Sequence, residues 1–405
     1  MKYAIVIPDG CADDPQDSLG GRTPLQAART PNMDRAARMG VVGRANNVPK
    51  PLTPASDVAT LSLFGYDPLA VYTGRAPLET VAMGLTLGPA DWAVRCNLVT
   101  VEDGRMHDFT AGHINNADGA RLMATVHEQL AGPVPGGRLE FHAGVQYRNV
   151  LIHRPDAGSS APFTAETKTQ PPHDIPDRPV ADHLPRGPGA QLLIDLMERS
   201  RPLFSGHPVN QERIARGEKP ATQIWLWGQG RAPTVPSFAR EYGPRGAIVS
   251  AVDLVRGTGM LIGWHRLDAP GATGYLDTDY ASKGRTGIAA LKEHDLVCVH
   301  VEAPDEASHE GRADEKVKAL ERIDEHIVGP LLDELPKHGE WRILVSPDHR
   351  TELATRAHAY GLVPFVLAGT GIPAKGQGTY DEPTAAGSDL VFDPGWQLMR
   401  WFLGR

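Results

Sequence analysis

Three apolar runs in this chain lead to an aspartate, and that pattern constrains the fold more than any other feature. Tyr3-Ala-Ile-Val-Ile7 runs into Pro8-Asp9-Gly10, Asp295-Leu-Val-Cys-Val-His-Val301 precedes Asp305, and Trp341-Arg-Ile-Leu-Val345 precedes Asp348. Short runs rich in β-branched residues and bounded by turn formers read as buried strands. Each acid therefore sits just past the carboxyl end of a strand. In an open α/β sheet those ends converge on one crevice where ligands bind, so the expectation is a sheet that gathers carboxylates from far-apart segments.

Histidines accompany two of these acids. Asp305 and His309 are four residues apart, Asp348 is followed by His349, and Arg356-Ala357-His358 supplies a third imidazole. Mixed carboxylate and imidazole ligands suit borderline divalent ions such as Mn2+ or Zn2+. Taken singly, each residue has an ordinary role: a strand-end aspartate is a turn former, and His300, inside a strand, reads as structural. The set points to metal.

The stretch Pro51-Leu-Thr-Pro-Ala-Ser56-Asp57 opens into Val58-Ala-Thr-Leu-Ser-Leu-Phe-Gly65, which puts Ser56 at a helix N-terminus. Unpaired backbone N–H groups and the helix dipole favour a phosphate there, although an N-cap is the commoner role for such a serine. If Asp9, Ser56, Asp348 and His349 hold one ion while Asp305, His309 and His358 hold another, two cations flank a serine oxygen. That arrangement is a phosphoryl-transfer device. Two divalent ions are balanced by three carboxylates and one alkoxide, so an arriving phosphate needs further cations. Lys283 and some of Arg75, Arg148 and Arg213 are the candidates.

A length of 405 residues predicts two or three domains. The net charge of −8, from 41 basic and 49 acidic residues, argues against a general nucleic-acid or membrane-surface binder. Three widely spaced cysteines, Cys11, Cys96 and Cys298, read as a reducing compartment without a disulfide framework. The first apolar run is too short for a secretory leader and no stretch approaches a membrane span, which places the protein in the cytoplasm.

Texture changes between about Glu102 and about Trp264. Strand-like runs at Val145–Ile152, Gln223–Trp227 and Ala247–Val252 are separated there by a proline-rich stretch, and the metal-type pattern lies on both sides but not within. The expected division is a core of residues 1–101 and 265–405 with residues 102–264 inserted. In the core, Thr30 is expected to cap a helix beginning at Pro31, and Lys283 to lead another. Val317, Leu320, Ile323, Ile327 and Leu331 mark one face of a helix kinked by Pro330. Leu362–Ala368 is a further strand and Trp396–Leu403 a closing helix.

The ordered set Pro-Asp9-Gly, Pro-Ala-Ser56-Asp, Gly-Tyr-Asp-Pro, Tyr-Thr-Gly-Arg75, Gly-Ala-Thr-Gly274, Ala-Pro-Asp305-Glu-Ala-Ser-His309-Glu-Gly and Pro-Asp348-His349 resembles the cofactor-independent (2,3-bisphosphoglycerate-independent) phosphoglycerate mutases. The likeness is to their archaeal-type branch, in the alkaline phosphatase superfamily. It spans almost the whole chain, including His207-Pro-Val-Asn210 and Trp225-Leu-Trp-Gly228. The resemblance implies an α/β fold: an alkaline-phosphatase-like core sheet flanked by helices, with a second α/β (α+β) domain inserted as a substrate-binding lid that swings over the core. It implies that Ser56 becomes phosphoserine, taking phosphate from one glycerate hydroxyl and returning it to the other, so that 3-phosphoglycerate and 2-phosphoglycerate interconvert in glycolysis and gluconeogenesis.

By the same resemblance, Asp305, His309 and His358 hold one Mn2+ or Mg2+, and Asp9, Ser56, Asp348 and His349 hold the second, with Zn2+ or Co2+ as alternatives. Neither 2,3-bisphosphoglycerate nor a nucleotide is required. Lys283 is expected on the phosphate, with Arg148, His173, Asn210, Arg213 and Arg75 as further substrate contacts. The chain departs from the family at Arg350-Thr351, where Pro-Thr or a similar pair is usual, and at Arg356, where a lysine precedes the last histidine. These changes flank the ligands and remove none. The main rival is a phosphatase or phosphodiesterase of the same superfamily, with water as acceptor. Another phosphosugar mutase comes next, then a non-catalytic binding protein. The partner expected is a small phosphorylated molecule, with no nucleic acid or membrane, and the sequence is equally compatible with a monomer and a homo-oligomer.

Overall fold

The run Tyr3–Ile7 forms the middle of a strand, Lys2–Pro8, and the larger sheet is arranged about it. In the computed structural model, which describes all residues Met1–Arg405, this sheet has the order His265–Leu267, Gly246–Val249, Leu296–Val301, Lys2–Pro8, Trp341–Val345, Val363–Gly369, Val41–Ala45 and Val391–Phe392. Its centre is parallel: Ile7 pairs with His300 on one side and Val6 with Val345 on the other. Val363–Gly369 runs antiparallel to both its neighbours. The register brings the carboxyl ends of three strands level, so Asp9, Asp305 and Asp348 all emerge at one end.

Alternation along the strands explains why both faces are covered. Ala4, Val6, Val297, Val299, Ile343 and Val345 join one buried cluster with Met33, Leu320, Ile323 and Ile327 from helices. Tyr3, Ile5, Ile7, Cys298 and Leu344 join another with Val255, Leu398 and Phe402. A parallel sheet buried on both faces reads as continuous apolar runs, which is how the strands first appeared.

The chain divides into two units, one of Met1–Tyr72 with Val235–Arg405 and one of Thr73–Thr234. The α/β core with an insertion is as expected, but the boundaries expected at 101/102 and 264/265 are not. Trp92–Glu102 belongs to the inserted unit, where it pairs antiparallel with Arg148–Pro155 and Gln223–Arg231 in a six-stranded sheet. Gly246–Val249, expected in the insertion, lies parallel to Leu296–Val301 in the core sheet. An apolar run shows that a strand exists and not which sheet it joins.

Three local expectations change in detail. Val145 ends the strand Gly137–Val145 and faces Arg148 across a tight turn, so Val145–Ile152 is a hairpin corner and not one strand. Thr30 precedes the helix Pro31–Met39 but makes no side-chain cap. Pro330 is absorbed by a π-helical turn, Asp324–Val328, placed just before it, which offers an alternative to breaking the ladder. No helix is long and apolar enough to cross a membrane.

Candidate active site

The strand Leu296–Val301 is followed almost at once by the short helix Ala303–His309. Residues four apart share a helix face, so Asp305 and His309 point the same way, with His309 Nε2 3.1 Å from Asp305 Oδ2. His358 comes from a two-stranded ribbon, Arg350–Glu352 with Ala357–Ala359. Its Nε2 is 3.5 Å from Asp305 Oδ1 and 3.0 Å from His309 Nε2.

The proton positions follow from the partners. His309 Nδ1 donates to the Arg356 carbonyl at 2.9 Å and His358 Nδ1 to the Pro54 carbonyl at 3.1 Å. A carbonyl only accepts, so both Nε2 lone pairs face the same point. Two lone pairs at that distance require a cation between them. In the ion-free protein a proton serves: the hydrogen bond to Asp305 lifts His309 to about 9. Burial works to raise Asp305, but the hydrogen bond from His309 and the neighbouring imidazoles of His358 and His349 hold it well below the usual carboxylate range.

The second group forms beside the first. Ser56 is the first residue of the helix Ser56–Leu63, with extended Ala55 as the N-cap residue, so its hydroxyl is free of a capping role. Its Oγ lies 3.1 Å from His349 Nε2. That nitrogen is also 3.4 Å from Asp9 Oδ1 and 3.5 Å from Asp348 Oδ2. Neither carboxylate oxygen accepts a hydrogen bond from the protein. Asp9, Asp305 and His349 offer ligand atoms within 4.8 Å of one another, so the two groups adjoin. Burial, then the charges of Asp348, Glu302 and Asp305, push Asp9 well above its ordinary value. Orphaned buried carboxylate oxygens facing imidazole lone pairs fit a divalent cation.

Sequence reading missed two residues here. His300 donates from Nε2 to Asp9 Oδ2 at 2.7 Å, and its Nδ1 meets Ser250 Oγ at 3.0 Å. Glu302 lies with them, its Oε2 without a donor, and burial followed by the charge of Asp305 lifts it to about 8. Lys283 is fully buried below, donating to the His300 carbonyl at 3.2 Å, and burial lowers it to about 8. The available signal was the place of His300, one residue from the end of a strand, and it needed the pairing with Lys2–Pro8 to be read.

In the inserted unit the expected substrate contacts separate into two kinds. Arg75 shares Glu79 with Arg95, at 3.3 and 2.7 Å. Arg95 lies over the Trp227 ring at 4.0 Å, and His173 meets the same ring edge-on at 5.3 Å. Burial, and then the charges of Arg75 and Arg148, lower Arg95 to about 10 despite Glu79. Arg75, Arg148 and His173 thus gather around Arg95, which sequence reading did not single out. Arg213 and Asn210 do not belong with them. Arg213 is buried and donates to the Ala111, Gly112 and Lys219 carbonyls while pairing with Asp118 and Glu218. Asn210 donates to Phe204 and Ala221 carbonyls and accepts from the Ala221 amide. Their polar atoms hold loops together and leave little for a ligand.

A parallel-centred sheet whose strand ends collect a serine, carboxylates and imidazoles defines an α/β enzyme with metal-type ligand groups. Two solved structures share the fold over the whole chain: the PH0037 protein from Pyrococcus horikoshii (TM-score 0.81, 27% identity, 97% of that chain) and a cofactor-independent phosphoglycerate mutase from Thermoplasma acidophilum (TM-score 0.68, 26% identity, 100% of that chain). The family model described as 2,3-bisphosphoglycerate-independent phosphoglycerate mutase matches residues 37–210. A protein of that name from Methanothrix thermoacetophila is 48% identical over 96% of this chain and 98% of its own, and one named as a probable member from Geobacter sulfurreducens is 45% identical over 100% of both. The chain belongs to the 2,3-bisphosphoglycerate-independent phosphoglycerate mutase family.

Proposed function

We propose that this protein interconverts 3-phosphoglycerate and 2-phosphoglycerate through a phosphoserine at Ser56, in a site for two divalent ions, Mn2+ or Mg2+. The observation that carries this reading is the position of Ser56 Oγ, at the head of a helix and 3.1 Å from an imidazole nitrogen that also faces Asp9 and Asp348. Asp305, His309 and His358 would hold one ion; Asp9, Ser56, Asp348 and His349 the other. Bound there, such ions acidify a hydroxyl and offset the charge that develops on a phosphoryl group in transfer.

Ser56 Oγ attacks phosphorus. The Oγ–P bond forms, the bond from phosphorus to the glycerate oxygen breaks, Ser56 gives up its proton and the departing oxygen gains one. Attack by the neighbouring glycerate hydroxyl reverses each change, so neither water nor a proton is consumed. Amides at the start of the Ser56–Leu63 helix favour the phosphate, and Lys283 adds a buried positive charge. Within the inserted unit, Arg75, Arg148 and His173 gather around Arg95, a cluster whose charge suits an anionic glycerate. The three buried, unpaired thiols support a cytoplasmic setting.

The test is to incubate purified protein with Mn2+ and 3-phosphoglycerate. Formation of 2-phosphoglycerate is expected. Release of free phosphate instead identifies a hydrolase, and absence of turnover with every divalent metal overturns the reading.

A further inference from the structure

One hydroxyl touches both ligand groups. Thr351 is fully buried in the ribbon strand Arg350–Glu352, directly opposite His358. Its Oγ1 donates to Asp305 Oδ1 at 2.5 Å and lies 3.1 Å from His349 Nδ1. His349 Nδ1 also meets the Arg350 carbonyl at 3.2 Å, so Nδ1 carries the proton, and Thr351 Oγ1 accepts from it while giving its own hydrogen to Asp305. The Nε2 lone pair of His349 is thereby turned towards Ser56, Asp9 and Asp348.

The hydroxyl is itself held in place. Buried Lys316 donates to the Thr351 carbonyl at 2.8 Å and to Asp13 at 2.9 Å, and the Thr351 amide donates to the Ala12 carbonyl at 3.3 Å. Gly10 keeps the approach clear. A Cβ there would press on Asp305 Oδ1 and stand 2.5 Å from Thr351 Oγ1, and its φ of +59° already disfavours a side chain.

We propose that Thr351 is a positioning residue shared by both ion sites: its single hydroxyl aims the carboxylate of one and fixes the imidazole tautomer of the other. This rests on the reading that the cluster holds two ions. It goes further in assigning both sites to one outer hydrogen-bonding group, which carboxylate and imidazole ligands commonly require.

The experiment is Mn2+ titration of the metal-stripped, full-length protein by calorimetry, with electron paramagnetic resonance to read the interaction between the two bound ions. In Thr351→Val, which keeps the shape and loses the hydroxyl, both dissociation constants are expected to rise by about tenfold or more, and the spectroscopic interaction between the ions to weaken. Thr351→Ser should bind both ions nearly as the wild type does. Weakening at one site only, a serine variant as poor as the valine variant, or a wild-type protein that takes up fewer than two ions would each overturn the proposal. If the valine variant does not unfold cooperatively, Thr351→Ala against Thr351→Ser makes the same comparison. Turnover is not the readout: two ions bound without formation of 2-phosphoglycerate refutes the mutase reading and leaves this one standing.

Discussion

Ser56 sits where a helix begins, yet its backbone neighbour Ala55 occupies the capping position, so the side chain is free for chemistry. Replacing it with alanine is expected to lower mutase turnover by roughly a thousandfold or more, while Mn2+ still binds at Asp305, His309 and His358. Turnover within tenfold of the wild type, assayed with 3-phosphoglycerate, would remove the phosphoserine step. A pH effect belongs to His309, which holds a proton up to about 9 in the ion-free protein. An incoming cation must displace that proton, so Mn2+ affinity at this group should climb by about tenfold per pH unit below that value and level off above it. The same proton stabilises the ion-free fold fully below the ordinary histidine value of about 6.5. That contribution is lost as pH rises through about 9.

Much of this residue-level picture was legible beforehand. Asp9, Asp305 and Asp348 announce themselves because a strand end is a local property of sequence. His300, Glu302, Thr351 and Arg95 do not, because each acts through a neighbour brought in by register: Thr351 faces His358 only once the ribbon has paired. Arg213 and Asn210, expected on the substrate, show the converse limit, since only the fold reveals which carbonyls take up their donors.

Among the elements, the helix Tyr280–Ala290 approaches the π-helical turn so closely that Gly284 faces the His326 carbonyl, where a Cβ would stand 2.2 Å away. Gly284→Ala is therefore expected to cost about 1–3 kcal/mol or more through backbone displacement, read as a lower urea midpoint. An unchanged midpoint would mean that the two segments separate easily. A second prediction concerns the strand Arg148–Pro155. His153 is fully buried there with neither ring nitrogen hydrogen-bonded, and burial lowers its pKa. A folded-state value below the ordinary one means stability present above about pH 6.5 and lost as pH falls below it. Urea midpoints between pH 8 and pH 5 should fall less steeply in His153→Phe, which also preserves the edge-on contact with Phe163 at 5.8 Å. A slope identical to the wild type would exclude His153 as a source of acid sensitivity. Sequence periodicity located these strands and helices well. It missed the corner at Val145 and the wide turn before Pro330, because hairpin closure and helix widening answer to packing.

For the whole molecule, the inserted unit has a core of its own, drawn from residues between Val94 and Trp227 and including Leu98, Leu122, Phe204, Ile224 and Trp225. Residues 73–234 expressed alone are expected to unfold cooperatively, as followed by circular dichroism in urea. A gradual, non-cooperative loss of signal would show that the core is needed to complete them. The boundaries escaped sequence analysis because chemistry-bearing motifs mark where ligands are and not where the chain changes partners. Thr73 Oγ1 donates to the Arg231 carbonyl at 2.6 Å, so the unit's two ends leave it side by side. A module hung from one point can be lengthened, trimmed or exchanged by recombination while the strands that carry the ligands keep their spacing. Descent can thus change the size of the insert and leave the register of the core strands untouched.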